Sequence, residues 1–260
     1  MGTAQINGEL WGARAREWAE LQEGSFRPVY QAAFKAAGVG PGSCVLDVGC
    51  GAGLSLQIAR ELGATVAGLD ASAALLEVAK SRSPGADIRV GELEQLPFAD
   101  RTFDVTTGFN SFQYAADPVH ALAEAKRVTK PNGRVVVTVW GAAENCELAP
   151  YVAALGKTLP PPPPGAPGPF ALSVPGALET LVGKAGLKPE GVTSIKTTMT
   201  FADRATTIRG LLASGVAERA IRHSGEDAVR DGIDEAIDKY RQPDDSYAFT
   251  NEWRFLVSRV

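Results

Sequence analysis

Three glycines at alternate positions, Gly49, Gly51 and Gly53, stand directly behind the short apolar run Cys44–Val48. A near-continuous apolar run of that length reads as a buried strand. Behind the glycines, Leu54, Ile58 and Leu62 recur at i, i+4 and i+8, which predicts a helix with its stripe facing a sheet. Strand, glycine turn and helix open a nucleotide-binding unit. Glycines let the backbone turn sharply and approach a ligand, and the helix N-terminus adds free N–H groups there. A turn without a ligand is the bland alternative, but three glycines in one strand-to-helix turn cost the chain entropy that a bare turn does not require. The spacing is G-x-G-x-G, not the dinucleotide fingerprint G-x-G-x-x-G, and an acid, Asp47, precedes the first glycine by two residues.

The remaining sequence repeats the strand–helix alternation. Thr65–Leu69 is a second strand ending at Asp70, and Ser72 caps a helix carrying Leu75, Leu76, Val78 and Ala79. A carboxylate at a strand end suits the vicinal hydroxyls of a ribose, and Ser72 leaves Asp70 free of the capping role. Strands follow at 86–91, Phe103–Phe109 and Arg134–Trp140, with a helix opened by Asp117-Pro118 before the last of these. Further on come a helix within 147–159, the run Pro160–Pro164 as a stiff connector, a helix over 175–186 and an alternating strand over 192–201. Helices marked by Ile208, Leu211, Leu212 and by Val229, Ile233, Ile237, Tyr240 precede a last strand. In it Tyr247, Phe249, Trp253, Phe255 and Val257 share one face, with Asn251 as the polar exception. Ahead of the core, residues 6–22 read as one amphipathic helix carrying Trp11 and Trp18. Pro28 opens a second helix that reaches Ala37 and ends at Gly38.

Composition narrows the function. The chain has 260 residues, net charge −4 and no basic stretch, which gives no footprint for nucleic acid. No 18-residue apolar run predicts a membrane span, and no basic-then-apolar leader pattern is present, so a cytoplasmic protein is expected. Three cysteines and two histidines show no metal-ligand spacing, so no metal is expected.

The phrase Leu46-Asp47-Val48-Gly49-Cys50-Gly51-Ala52-Gly53 resembles the first motif of the class I S-adenosylmethionine-dependent methyltransferases. Arg127-Val128-Thr129-Lys130-Pro131-Asn132-Gly133 resembles a later one, with Thr129 and Asn132 as departures. The overall pattern is similar to the ubiquinone/menaquinone-biosynthesis-like group, which acts on small molecules. The resemblance implies an α/β, Rossmann-like, doubly wound seven-stranded sheet, mostly parallel with the last strand antiparallel and with helical cap insertions. Residues 1–40 would form a helical lid and 41–141 the cofactor-binding core. Residues 142–260 would complete the same domain, with cap insertions at 142–172 and 203–245. S-adenosylmethionine would be the cofactor and S-adenosylhomocysteine its product.

On the matching positions, the resemblance puts Asp47, Gly49, Cys50, Gly51 and Gly53 around the methionyl and ribose part, with Asp70 and Ala71 at the ribose. Glu92, where the family usually has Asp, and Leu93 would meet the adenine; Asn110, Ser111 and Phe112 would contact the methionyl end. Trp18, Gln113 and Trp140 are candidates for the acceptor pocket, and Glu252 is a further polar candidate. A base is needed only if the acceptor must lose a proton; His120, His223 and Tyr114 are the candidates. The expected partner is a small-molecule methyl acceptor, with neither nucleic acid nor membrane. Binding of the cofactor without methyl transfer is a second reading, and a nicotinamide or flavin oxidoreductase a third.

Overall fold

The computed structural model describes residues 2–161 and 167–260. The connector expected over Pro160–Pro164 therefore lies largely outside the described residues. Seven strands form one sheet: β1 (Cys44–Val48), β2 (Thr65–Asp70), β3 (Asp87–Val90), β4 (Phe103–Phe109), β5 (Thr129–Trp140), β6 (Lys188–Phe201) and β7 (Tyr247–Arg259). Their order is β3-β2-β1-β4-β5-β7-β6. The first five are parallel, and β7 runs antiparallel to both β5 and β6. The chain steps outward from β1 to β3 and then returns to β4 on the other side of β1. Ligands of open α/β sheets sit at such a reversal, beyond the strands' C-terminal ends.

Eleven α-helical segments are described: α1 (Ala4–Gly12), α2 (Ala15–Glu17), α3 (Arg27–Ala36), α4 (Leu54–Glu61), α5 (Ala73–Arg82), α6 (Pro118–Val128), α7 (Ala149–Lys157), α8 (Ala177–Lys184), α9 (Arg204–Leu212), α10 (Gly215–Ser224) and α11 (Glu226–Ile237). Alternation along β1 divides the core. Val45 joins the apolar layer with α3 and α4, while Leu46 and Val48 join α6 and α8 on the opposite face. The α4 stripe is shorter than its periodicity suggests. Leu54 and Ile58 are buried, but Leu62 is 39% exposed, because the helix ends at Glu61 and Gly63 turns the chain into β2.

The N-terminal region departs from the expected single helix. After α1 and α2 come a π-helical turn, Trp18–Gln22, and a 3₁₀ turn, Glu23–Phe26, before α3 begins. In one straight helix Trp11 and Trp18 would stand about 10 Å apart along the axis. The break at Arg14 brings their rings edge to face at 5.0 Å. Helices α7, α9, α10 and α11 pack together as a cap on this segment. Trp11 lies so close to Gly215, the first residue of α10, that a Cβ there would stand 2.7 Å from the indole. Only glycine permits that approach. Arg14 pairs with Glu226 at 2.8 Å and Arg222 with Glu9 at 3.2 Å across the same junction.

On β7, Asn251 is buried on the apolar face as its sequence position implies. Its side chain accepts from Leu148 N and donates to Phe249 O, so its polarity is satisfied. Among the described residues no helix is long and apolar enough to cross a membrane.

Candidate active site

The glycine loop is held from beneath. Gly49 N and Cys50 N both donate to Leu69 O, at 2.7 and 3.0 Å, and Gly51 N donates to Asp70 Oδ2 at 2.9 Å. Asp70 Oδ1 accepts from Ser72 N at 2.8 Å, and Ser72 Oγ caps α5 through Leu75 N. Gly49 has φ +76°, and a Cβ on it would stand 2.4 Å from Ser111 Cβ. Ser111 in turn donates to Val48 O at 2.6 Å, which locks the ends of β1 and β4 together.

Asp47 does not reach the ligand side. It is 1% exposed and accepts hydrogen bonds from the hydroxyls of Ser55 and, at 2.8 Å, Thr107. Burial raises its pKa to about 7, against the lowering effect of those two hydroxyls. Its role is to brace the loop from inside the core.

A second buried acid, Glu23, was not anticipated from sequence. One oxygen accepts from Leu54 N at 3.2 Å and the other meets Arg82, which also donates to Ala52 O and Ala19 O. Burial raises the Glu23 pKa against the opposing pull of Arg82. Helix α4 has no capping side chain of its own at Gly53, so the N-terminal segment supplies one.

Beyond the strand ends lies a cavity of about 110 Å³, open to solvent on one side. Of the residues expected at the cofactor, Gly49, Gly51, Asp70, Ala71, Glu92, Leu93, Asn110 and Ser111 line it. Asp47, Cys50, Gly53 and Phe112 do not: Cys50 and Phe112 are buried in the core, and Gly53 is the N-cap of α4. Trp18 and Tyr114 also line it. The rest of the wall is Thr3, Ala4, Asn7, Trp11, Phe26 and Tyr30, all within the expected lid region but not singled out there as site residues, together with Leu75, Gly91 and Phe109. The N-terminal segment is thus a full wall of the cavity. No described residue of 142–172 or 203–245 lines it; helices α9 and α10 meet the N-terminal segment, which itself lines the cavity.

Three contacts tie that segment down. Thr3 Oγ1 and Asn7 Nδ2 donate to Tyr114 O at 2.7 and 3.2 Å, and Ala4 N donates to Glu92 Oε2 at 2.9 Å. Glu92 Oε1 accepts from its neighbour Leu93 N.

The other candidates lie elsewhere. His120 and His223 are exposed on α6 and α10 and do not line the cavity. Gln113 donates to Asn110 Oδ1, and Trp140 stacks on Trp253 at 4.1 Å; neither lines the cavity. Glu252 accepts from Ala142 N and Asn145 Nδ2, fastening the segment after β5.

The aromatic lining forms a continuous arc. Tyr114 meets Trp11 at 5.7 Å, Trp11 meets Trp18 at 5.0 Å, and Trp18 meets Phe26 at 6.0 Å. Phe26 meets Tyr30 at 6.2 Å, and Tyr30 meets Phe109 at 4.5 Å. Neither phenol at the ends of the Tyr114–Tyr30 stretch has a hydrogen-bond partner among the described residues. Burial raises both: Tyr114 to about 12, and Tyr30 well above the ordinary phenol value, with Glu23 and Asp47 adding to the effect.

Comparison with known proteins agrees with this architecture. Residues 46–137 match the family described as Methyltransferase domain. A demethylmenaquinone methyltransferase of Renibacterium salmoninarum is 43% identical over 102 residues, which is 39% of this chain and 43% of that enzyme. The chain thus spans less than half the length of that relative. YcgJ of Bacillus subtilis shares the fold with a TM-score of 0.59 at 21% identity, covering 90% of this chain and 98% of that one. The [4+2]-cyclase SpnF shares it with a TM-score of 0.57 at 20% identity, covering 89% and 79%. Residues 46–137, which hold the glycine loop and strands β1 to β4, are thus similar to a methyltransferase domain. The seven-stranded order with antiparallel β7 is that of the α/β methyltransferase fold.

Proposed function

We propose that this protein transfers a methyl group from S-adenosylmethionine to a small-molecule acceptor by in-line displacement, beneath a lid formed by residues 1–40. Residues 41–141 are read as the cofactor core, and 142–260 as the completion of the sheet together with the helices that support the lid. The observation that carries this reading is Asp70. Its carboxylate is fixed by Gly51 N and Ser72 N at the end of β2, on the wall of the cavity. Each carboxylate oxygen so held keeps lone-pair capacity for a ribose hydroxyl.

The chain's residues fit the cofactor. A Cβ on Gly51 would have only Glu23 Oε1 and Trp18 Nε1 within 4 Å, both at 3.8 Å, so the glycine leaves open space on the cavity wall. Glu92 and Leu93 stand beyond β3, where an adenine would lie, and Asn110 and Ser111 border the other end. When bound, the cofactor supplies an activated methyl group on a sulfonium. The lid's work is then to hold acceptor and methyl in line and to exclude water.

Calorimetric titration of S-adenosylmethionine, S-adenosylhomocysteine and NAD into the wild-type protein and Asp70→Ala tests the reading. Both sulfur compounds are expected to bind and NAD not to bind. The variant should lose about 1–3 kcal/mol, the scale of hydrogen bonds to a charged group. Binding of NAD in place of the sulfur compounds would overturn the reading. Cofactor binding with an empty acceptor screen would replace transfer with binding alone.

A further inference from the structure

Resting on the methyl-transfer reading, we propose that the indole N–H of Trp18 holds the carboxylate at the cofactor's amino-acid end. Trp18 is then a cofactor residue supplied by the N-terminal segment, not a wall of the acceptor pocket.

The order of the strands sets where that end of the cofactor lies. Glu92 follows β3 and Asp70 ends β2, and the methyl-transfer reading gives them the adenine and the ribose. The next strand in the sheet is β1, so the sulfur and the amino-acid end fall over its loop, at Gly49 and Gly51. An α-amino acid carries an ammonium and a carboxylate side by side. A carboxylate taken from water into a walled site needs donors there.

The loop has few to give. Gly49 N and Cys50 N are spent on Leu69 O, Gly51 N on Asp70, Gly53 N on Cys50 O and Leu54 N on Glu23. Among the described residues lining the cavity there is no Lys, Arg or His. Thr3 and Asn7 already donate to Tyr114 O, and Ser111 to Val48 O. Arg82, beside Glu23, is spent on that acid and on Ala52 O and Ala19 O.

Trp18 is placed for the task. Its Nε1 stands 3.8 Å from the point that a Cβ on Gly51 would occupy, and it meets no acceptor among the described residues. Trp11 and Phe26 hold the ring in that orientation, at 5.0 and 6.0 Å between centroids. Glu23 Oε1 stands 3.8 Å from the same point, and nothing else comes within 4 Å of it. A donor and a negative charge therefore flank one open position. The carboxylate of an amino acid fits the indole side, and its ammonium the Glu23 side.

The backbone between the two residues accounts for their convergence. Residues five apart on an α-helix point about 140° away from each other. Here the chain makes a π-helical turn over Trp18–Gln22, closed by Glu23 N on Trp18 O, which brings both side chains to the loop. Such turns are rare and concentrate at functional sites.

Calorimetry with three ligands tests the proposal. They are S-adenosylhomocysteine, its decarboxylated form, which keeps the amine, and 5′-methylthioadenosine, which lacks both groups. Trp18→Phe keeps an aromatic ring and loses the N–H. It should weaken S-adenosylhomocysteine about tenfold and leave the other two within about twofold of wild type. An equal loss for all three would make Trp18 a packing residue, and an unchanged S-adenosylhomocysteine affinity would leave its N–H without a role. Either result overturns the proposal. A second measurement does not depend on the variant folding. Of the four indole N–H resonances of the wild-type protein, one should move downfield with S-adenosylhomocysteine and stay in place with the decarboxylated compound. Resonances that respond alike to both ligands would also overturn it. A wild-type protein that binds neither S-adenosylhomocysteine nor 5′-methylthioadenosine would count against the methyl-transfer reading itself.

Discussion

Glu23 receives the first backbone N–H of the helix behind the glycine loop, that of Leu54, at 3.2 Å and across 31 residues of sequence. The carboxylate that caps α4 therefore belongs to the N-terminal segment, and Arg82 fixes it there.

Glu23→Ala removes a helix cap and strips Arg82 of its partner together. A loss of about 2–3 kcal/mol is expected, below the full cost of breaking a buried pair because Arg82 reaches solvent. Urea denaturation measures it. Glu23→Gln, which keeps an oxygen for Leu54 N, should lose less.

Asp47 has a folded-state pKa of about 7, well above an unfolded carboxylate at about 4. Between those values the folded protein binds the extra proton. Its contribution to stability is therefore full at low pH and is lost as pH rises through about 7. Asp47→Asn keeps polar contact with Ser55 and Thr107 but cannot ionise. Relative to wild type it should gain on the order of 1 kcal/mol per pH unit between about pH 4 and 7, and then level off. Denaturation curves across that range show the slope.

Gly49→Ala places a methyl 2.4 Å from Ser111 Cβ at a positive φ. The left-handed conformation costs about 1–2 kcal/mol and the overlap about 1–3 more. Calorimetry should find S-adenosylhomocysteine binding lost and the melting temperature lowered. Gly156→Ala, with nothing within 4 Å of its added Cβ, should change neither.

Trp11→Ala withdraws the ring that spans Trp18, Tyr114 and Gly215. The half-buried site makes about 2–3 kcal/mol a fair expectation, at or below the lower end for large aromatic truncations. The effect should be local. Hydrogen exchange should speed up over residues 3–18 and remain slow in β1 and β4.

The parts legible in the sequence were those governed by local chemistry. The apolar run of β1, the glycine turn, the Ser72 cap and the alternation through Tyr247–Val257 each follow from neighbours a few residues apart. Gly49, Gly51, Asp70 and Glu92 were legible as cavity residues because they end strands. Asp47 was misplaced for the same reason. Its position in the motif is visible, but alternation along β1 turns it away from Val48 and into the layer beneath the loop. Glu23 and Tyr30 left no local signal, since their partners come from α4, α5 and β4. The helix expected over 6–22 broke because Trp11 and Trp18 gain more by meeting Gly215, Tyr114 and Phe26 than by continuing one axis.

The anchors of the N-terminal segment also set an order of assembly. Gln22 donates to Gly210 O and Arg14 pairs with Glu226, contacts spanning 188 and 212 residues. During synthesis residues 14–22 leave the ribosome well before the surface they rest on, at 210–226, has been made. Contacts of such separation form late in folding. The cavity wall therefore closes only once residues 204–237 have been made, and a chain cut short before them has the glycine-loop strands without an enclosed site.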